Sequence, residues 1–90
     1  MTPPNAEPAL SLSTWLDLVL RELPDGAAGP SAAEQTAILD LARVAAHASE
    51  RIAAPISAYL VGLAFSGLPA DERAAALQAL VSQLESRPAT

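Results

Sequence analysis

The chain has 90 residues, a net charge of −5, and neither lysine nor cysteine. Its length supports one hydrophobic core, and its negative charge argues against nucleic acid and anionic membranes as partners, because both require clustered positive charge. The lack of cysteine excludes disulfide bonds and thiolate chemistry. With no basic, apolar leader and no apolar run of about 20 residues, the sequence leads us to expect a cytoplasmic protein.

The N-terminal segment differs in composition from the helix predicted after it. Residues 1–10 contain three prolines among small and polar residues, which predicts a flexible arm. Apolar residues then recur at helical spacing, which predicts a first helix over residues 13–23 with Ser11 or Ser13 as its N-cap. Residues 24–30, PDGAAGP, are rich in proline and glycine and predict a loop.

A second helix begins at a capping signal. Ser31 is followed three residues later by Glu34, the spacing of a capping box, in which each side chain accepts a hydrogen bond from the other residue's backbone N–H. We expect this helix to continue to Ile52 or Ala53. It should end there because Pro55 disfavours helical geometry in the residue before it.

The third helix is predicted over residues 55–66, with Pro55 as its first residue. It is apolar almost all round, which is typical of a buried helix, so we expect it near the centre of the domain. One of its faces consists of four large side chains: Ile56, Tyr59, Leu60 and Leu63. Gly67 suits a left-handed residue that ends the helix.

A fourth helix should start at Pro69, with acidic residues favourably placed in its first turn. Its apolar seam consists of Leu77, Leu80, Val81 and Leu84. No strand pattern is present. The sequence therefore predicts an all-α fold, a compact four-helix domain with short loops and a central third helix. Residues 11–86 form this domain, between the arm of residues 1–10 and a frayed tail of residues 87–90.

Polar side chains in the middle of the chain gather on one stripe of the second helix. At about 100° per residue they fall within a sector of about 100°. The stripe consists of Asp40, Arg43, His47, Glu50 and Arg51. It has two interpretations: a solvated surface whose charges pair one turn apart, or a contact surface for a partner.

Catalytic and metal sites lack most of the residues that they need. The pair His47 and Glu50 has the i, i+3 spacing of a metal site, but the chain contains one histidine and too few inward carboxylates for a di-iron bundle. Ser57, His47 and Asp40 can be combined into a nucleophilic triad, yet no Gly-x-Ser-x-Gly motif or glycine-rich oxyanion segment is present. We therefore expect no enzymatic activity, no metal and no cofactor.

A further prediction concerns a small anion at the start of the third helix. The free amides of residues 56–58 carry partial positive charge, and Ser57 adds a hydroxyl. Arg51 or Arg43 could reach over this end of the helix. A proline removes one of the donors, and no phosphate-binding glycine loop is present. A small-anion or nucleotide carrier stays open as an interpretation.

Several of these residues also form a sequence motif. It comprises D-L-A at residues 40–42, His47, Arg51 and A-P-I-S-A-Y-L-V-G at residues 54–62, with Trp15 on an upstream helix. Over about residues 12–85 the chain resembles a family of small all-helical bacterial domains of unknown function. Members occur alone or fused to molybdenum cofactor guanylyltransferase, and are often labelled molybdopterin-guanine dinucleotide biosynthesis proteins. The resemblance implies association with such an enzyme and carries over no catalytic residue.

The leading hypothesis is a non-enzymatic accessory or protein-interaction domain, linked to molybdenum cofactor biosynthesis, that presents the polar stripe to a protein partner. The alternative is a structural homo-oligomer, such as a homodimer, whose helices bury their extra leucines against a second copy. The small-anion carrier is the third. A thin, alanine-rich core favours the first two, because docking or self-association adds apolar burial.

Overall fold

The computed structural model describes residues 9–24 and 26–87 of the chain. Four helices make up this part: α1 (Leu12–Arg21), α2 (Ala32–Ala48), α3 (Ala53–Phe65) and α4 (Ala70–Glu85). The predicted all-α domain of four helices joined by short loops is confirmed. Of the predicted arm and tail, residues 1–8 and 88–90 lie outside the described residues.

Helix α1 begins with a side-chain cap and stands apart from the other helices. Ser11 is the N-cap, and its hydroxyl oxygen accepts a hydrogen bond from the backbone N–H of Thr14 at 3.2 Å. Within the described residues α1 packs against no other helix. It does approach the following loop, where a Cβ atom at Gly29 would lie 3.4 Å from Cδ1 of Leu20.

Helix α2 starts as predicted and ends earlier than predicted. The capping box is complete: the Glu34 N–H donates to Ser31 Oγ at 3.1 Å, and the Ser31 N–H donates to Glu34 Oε1 at 2.9 Å. The expected end at residue 52 or 53 was wrong, because the backbone leaves helical geometry at Ser49 (φ −132°, ψ −106°). This break lets the chain reverse, which α3 needs in order to pack back against α2.

Helix α3 starts two residues before the predicted position. The N–H groups of Ala53 and Ala54 donate to the carbonyls of Glu50 and Arg51 in a tight turn that leads into the helix. Pro55 is therefore the third helical residue. The ring is tolerated there because the N–H groups of a helix's first turn have no partner within the helix.

The connection from α3 to α4 does not use a left-handed glycine. The predicted conformation of Gly67 was wrong: within the described residues, positive φ occurs at Gly26, at 93°. The chain instead stays right-handed at Ser66, and the Leu68 N–H donates to the Phe65 carbonyl at 3.0 Å. Pro69 is the N-cap of α4, one residue before the helix.

The core lies between α2 and α4, and α2 is the central element. Helix α2 packs against both α3 and α4, which touch each other only slightly. The buried apolar residues of the described chain come from these two helices: Ala37, Leu41, Ala74, Leu77 and Val81. The central position predicted for the third helix was wrong, since no residue of α3, all of them described, is buried. The apolar composition of α3 predicted a buried helix, but α2 covers only one side of it.

Candidate functional site

Helix α3 has two apolar faces on opposite sides. The face toward the rest of the domain carries half-buried residues spaced three or four apart: Ala54, Ala58, Val61 and Phe65. At about 100° per residue these four side chains point in one direction, and the large apolar side chains of the helix point in the opposite one. Only the first face takes part in the fold of the chain.

The second face, which we call the α3 open face, consists of Ile52, Ile56, Tyr59, Leu60 and Leu63. These side chains fall within a sector of about 100°. Each is between 56% and 68% exposed. The four large residues that sequence analysis grouped on one face of this helix therefore do lie together, but toward solvent instead of the core.

The α3 open face is a contiguous apolar patch and not a scatter of single side chains. Scattered exposed leucines are ordinary, whereas a contiguous row of five large apolar side chains marks an interaction surface. No charged residue interrupts it, because residues 52–65 contain no Asp, Glu, Lys or Arg. Covering such a surface with another apolar surface lowers the free energy of the system.

Further exposed apolar side chains lie around α1 and on α2. They are Leu10, Leu12, Trp15, Leu18, Leu23 and Leu39. Trp15 is 54% exposed and so does not anchor α1 in the core. Leu39, on α2, is 63% exposed and lies in the middle of a helix, as Leu60 does.

The predicted polar stripe is exposed and is divided by the end of α2. Asp40, Arg43 and His47 lie on the helix, whereas Glu50 and Arg51 lie in the turn that follows it. Arg43 bridges the two helices of the core: its Nη2 donates to Glu85 of α4 at 2.9 Å, and its Nε lies 3.8 Å from Asp40. The hydrogen bond to Glu85 raises the pKa of the Arg43 guanidinium.

An open groove of about 770 Å³ lies where the end of α2, the start of α3 and the end of α4 meet. It gathers several polar side chains: Arg43, His47, Ser57, Glu85 and Arg87. The structure thus places Ser57 and His47 along the same groove. Asp40, the third residue of the candidate nucleophilic triad, does not line this groove and lies beside Arg43 instead.

The geometry at the start of α3 leaves few donors for an anion. The amides of Ala53 and Ala54 already donate to carbonyls, and Pro55 has no N–H. Ser57 lines the groove described above, whereas Arg51 does not. The two residues of the predicted anion site are therefore not brought together in this groove.

One polar cluster was missed by the sequence analysis. Buried Glu34 accepts a hydrogen bond from Arg73 Nε at 2.6 Å, and Arg73 also donates to the Leu68 carbonyl at 2.8 Å. The hydrogen bonds from Arg73 and from the Ser31 backbone lower the pKa of Glu34 from 4.5 to about 2. The capping box identified Glu34, but no local pattern could pair it with a residue 39 positions away.

The described residues contain neither a cluster of metal ligands nor an apolar helix of membrane-spanning length. No cluster of three or more His, Cys, Asp or Glu side chains suited to a metal ion occurs among them. No helix in residues 9–24 or 26–87 is long and apolar enough to cross a membrane.

Comparison with known proteins finds a family but no characterised relative. No curated protein and no solved structure matches the chain significantly. A family model described as a domain of unknown function, DUF6457, matches residues 7–89. This match takes in all four helices, including the two faces of α3. The chain therefore belongs to the DUF6457 family of small helical domains.

Proposed function

We propose that the chain is a non-enzymatic protein-interaction domain that binds a protein partner through the α3 open face. The observation that carries this proposal is that five large apolar side chains, each more than half exposed, form one uncharged row along α3 and its N-cap, opposite the half-buried face of the helix. The row replaces the polar stripe of α2 as the main contact surface. Glu50 and Arg51 directly precede it and would lie at its rim.

The energetics favour binding of a protein over binding of a small ligand. Burying a large aliphatic side chain fully contributes about 1.5–3 kcal/mol, and more than half of that is still available at each residue of the open face. Tyr59, 68% exposed, adds an aromatic side chain of the kind that dominates binding at protein interfaces. The row is convex and extended, whereas small molecules bind in concave sites.

We propose a molybdenum cofactor guanylyltransferase-like enzyme as the candidate partner from another chain. The support is the resemblance of the A-P-I-S-A-Y-L-V-G segment to domains that occur fused to this enzyme. Three residues of that segment, Ile56, Tyr59 and Leu60, belong to the open face. The segment that carries the resemblance is thus also the segment that exposes the proposed contact surface.

The test compares two leucine substitutions of matched exposure. Leu60→Glu places a charge in the open face, and Leu39→Glu places the same charge on α2, where the leucine is 63% exposed against 60% for Leu60. Both variants should fold, because neither side chain is buried. We expect tagged wild-type chain and Leu39→Glu to retain the same proteins from cells of its source organism, and Leu60→Glu to retain at least tenfold less of them.

The measurement is quantitative mass spectrometry of the retained proteins, after circular dichroism has shown equal helix content in the three chains. If Leu60→Glu retains the same proteins in the same amounts, the open face is not the binding surface. If the proteins lost with Leu60→Glu include no nucleotidyltransferase, the link to the molybdenum cofactor is rejected and the interaction role is kept.

A further inference from the structure

We infer that one occupant of the α3 open face is a second copy of this chain, with the two α3 helices packed antiparallel across a two-fold axis. This inference rests on the proposed function, because it assumes that the open face binds protein. It goes further by naming the partner and the geometry. A two-fold dimer uses the same patch on both copies, so the patch must be complementary to itself.

The exposed apolar area of the open face is large enough for a weak, reversible dimer. Five side chains that are 56–68% exposed leave apolar surface on the order of 500 Å² per copy. Two copies that cover this face completely bury about 1,000 Å² in total, which is at the small end of the range for specific interfaces. Residues on either side of the row, such as Pro55 and Gly62, are also exposed and would add to this area. We accordingly expect a dimer that forms reversibly with concentration.

The charge distribution allows two identical acidic chains to meet at this face. Each copy carries a net charge of −5, so most pairings of their surfaces place like charges together. Residues 52–65 contain no charged side chain, and the two copies can therefore approach there without that cost. Because the opposite face of α3 packs against α2, dimerisation leaves the core of each copy unchanged.

The antiparallel orientation follows from the ends of the helix. An antiparallel pair places the positive N-terminal end of each α3 beside the negative C-terminal end of the other. A parallel pair would instead place the like ends of the two helices side by side. From Ile52 to Leu63 the row is about 17 Å long at 1.5 Å per residue. Antiparallel pairing then sets Ile52 against Leu63, with Ile56 and Tyr59 nearest the two-fold axis.

The first test measures the mass of the full chain by sedimentation equilibrium over micromolar to millimolar concentrations. We expect the wild-type chain and Leu39→Glu to pass from monomer to dimer, and Leu60→Glu to weaken dimerisation at least tenfold. Two results overturn the inference: a wild-type chain that is monomeric throughout, or a dimer that Leu60→Glu leaves unchanged.

The second test determines the orientation and uses the absence of native cysteine from the chain. Ile52→Cys and Leu63→Cys are made separately, one of them with a mass tag, and mixed under mild oxidation. Antiparallel packing predicts mostly mixed disulfides between the two variants. A parallel dimer would give mostly Ile52→Cys pairs and Leu63→Cys pairs, which would overturn the proposed geometry. Leu39→Cys, away from the face, should cross-link least.

The two proposals fail in distinguishable ways. A monomeric chain that nevertheless retains a different protein through Leu60 overturns the dimer and supports the interaction role. A monomeric chain that retains nothing sensitive to Leu60→Glu overturns both. A dimer that is broken by Leu60→Glu supports both, because the second copy is then itself a protein bound by the open face.

Discussion

Glu34 connects local structure and tertiary structure through one carboxylate. It completes the capping box with Ser31 at the start of α2 and also binds Arg73 of α4. Arg73 in turn donates to the carbonyl of Leu68 in the loop before α4. Burial alone would raise the pKa of this carboxylate, because it disfavours the charged form. The hydrogen bonds from Arg73 and Ser31 outweigh burial and lower the pKa of Glu34 to about 2.

The stability of the domain should therefore depend on pH through Glu34. Its folded-state pKa, about 2, lies below the ordinary value of 4.5, so its contribution is fully present above about pH 4.5 and is lost as the pH falls toward 2. Glu34→Gln should lower the free energy of unfolding at neutral pH by on the order of 2 kcal/mol. The difference from wild type should shrink across this acidic window, as measured by urea unfolding at several pH values.

Glu85→Gln is the control for this prediction. Glu85 accepts a hydrogen bond of 2.9 Å from Arg43, but both side chains are about half exposed, at 47% and 52%. Exposed ion pairs contribute little to stability because water and salt screen them. We expect Glu85→Gln to unfold at nearly the same urea concentration as wild type. An equal loss in both variants would contradict the special role of the buried carboxylate.

At the scale of the helix, two glycines allow a matched test of backbone conformation. A Cβ atom added at Gly62 or at Gly26 would meet no atom within 4 Å, so packing does not distinguish them. Gly62 lies inside α3, where alanine should stabilise the chain by about 0.5–1 kcal/mol. Gly26 has φ of 93°, so alanine there should destabilise it by about 1 kcal/mol. Thermal unfolding at equal protein concentration measures both changes in stability. If both variants were stabilised, or both destabilised, the prediction would be wrong.

The starts of α1 and α2 were more predictable than the end of α2. Ser31 was identified as a cap, and Ser11 as one of two candidates, because a side chain that accepts a backbone hydrogen bond leaves a local signature. The end of α2 at Ala48 has no such signature, since Ser49 breaks the helix where α3 must turn back to pack. Sequence patterns indicate hydrogen bonds within a helix, whereas the break at Ser49 depends on the packing of α3 against α2.

Four of the five residues of the α3 open face were grouped by the sequence, but as part of a buried helix and not as a contact surface. Periodicity grouped Ile56, Tyr59, Leu60 and Leu63 on one face of α3, and the structure keeps them together. Their exposure could not be predicted, because apolar periodicity reports that a face will be covered and not whether the same chain covers it. The sequence placed Ile52 at the end of the second helix. In the structure it is the N-cap of α3 and lies in line with the other four residues of the open face.

At the scale of the whole molecule, α1 should behave as a separate unit. In the part of the chain that the structure describes, α1 packs against no other helix and contains no buried residue. Segments with few packed contacts open at low free-energy cost. We expect backbone amides of α1 to exchange with deuterium at least tenfold faster than those of α2 and α4.

Exchange is measured by mass spectrometry in dilute Leu60→Glu, because this variant should dimerise at least tenfold more weakly and so report on the single copy. Protection of residues 12–21 equal to that of residues 74–81 would contradict the separate behaviour of α1. The same experiment on wild-type chain at high concentration serves as the comparison, since added protection should then concentrate in α3.

The two faces of α3 also separate two kinds of evolutionary change. Val61 and Phe65 lie on the half-buried face of α3, so substitutions there change how the helix packs in the domain. Tyr59 and Leu63 are more than half exposed, so substitutions there can change what the domain binds with little effect on its core. A single helix can thereby keep one fold while acquiring new binding partners one substitution at a time.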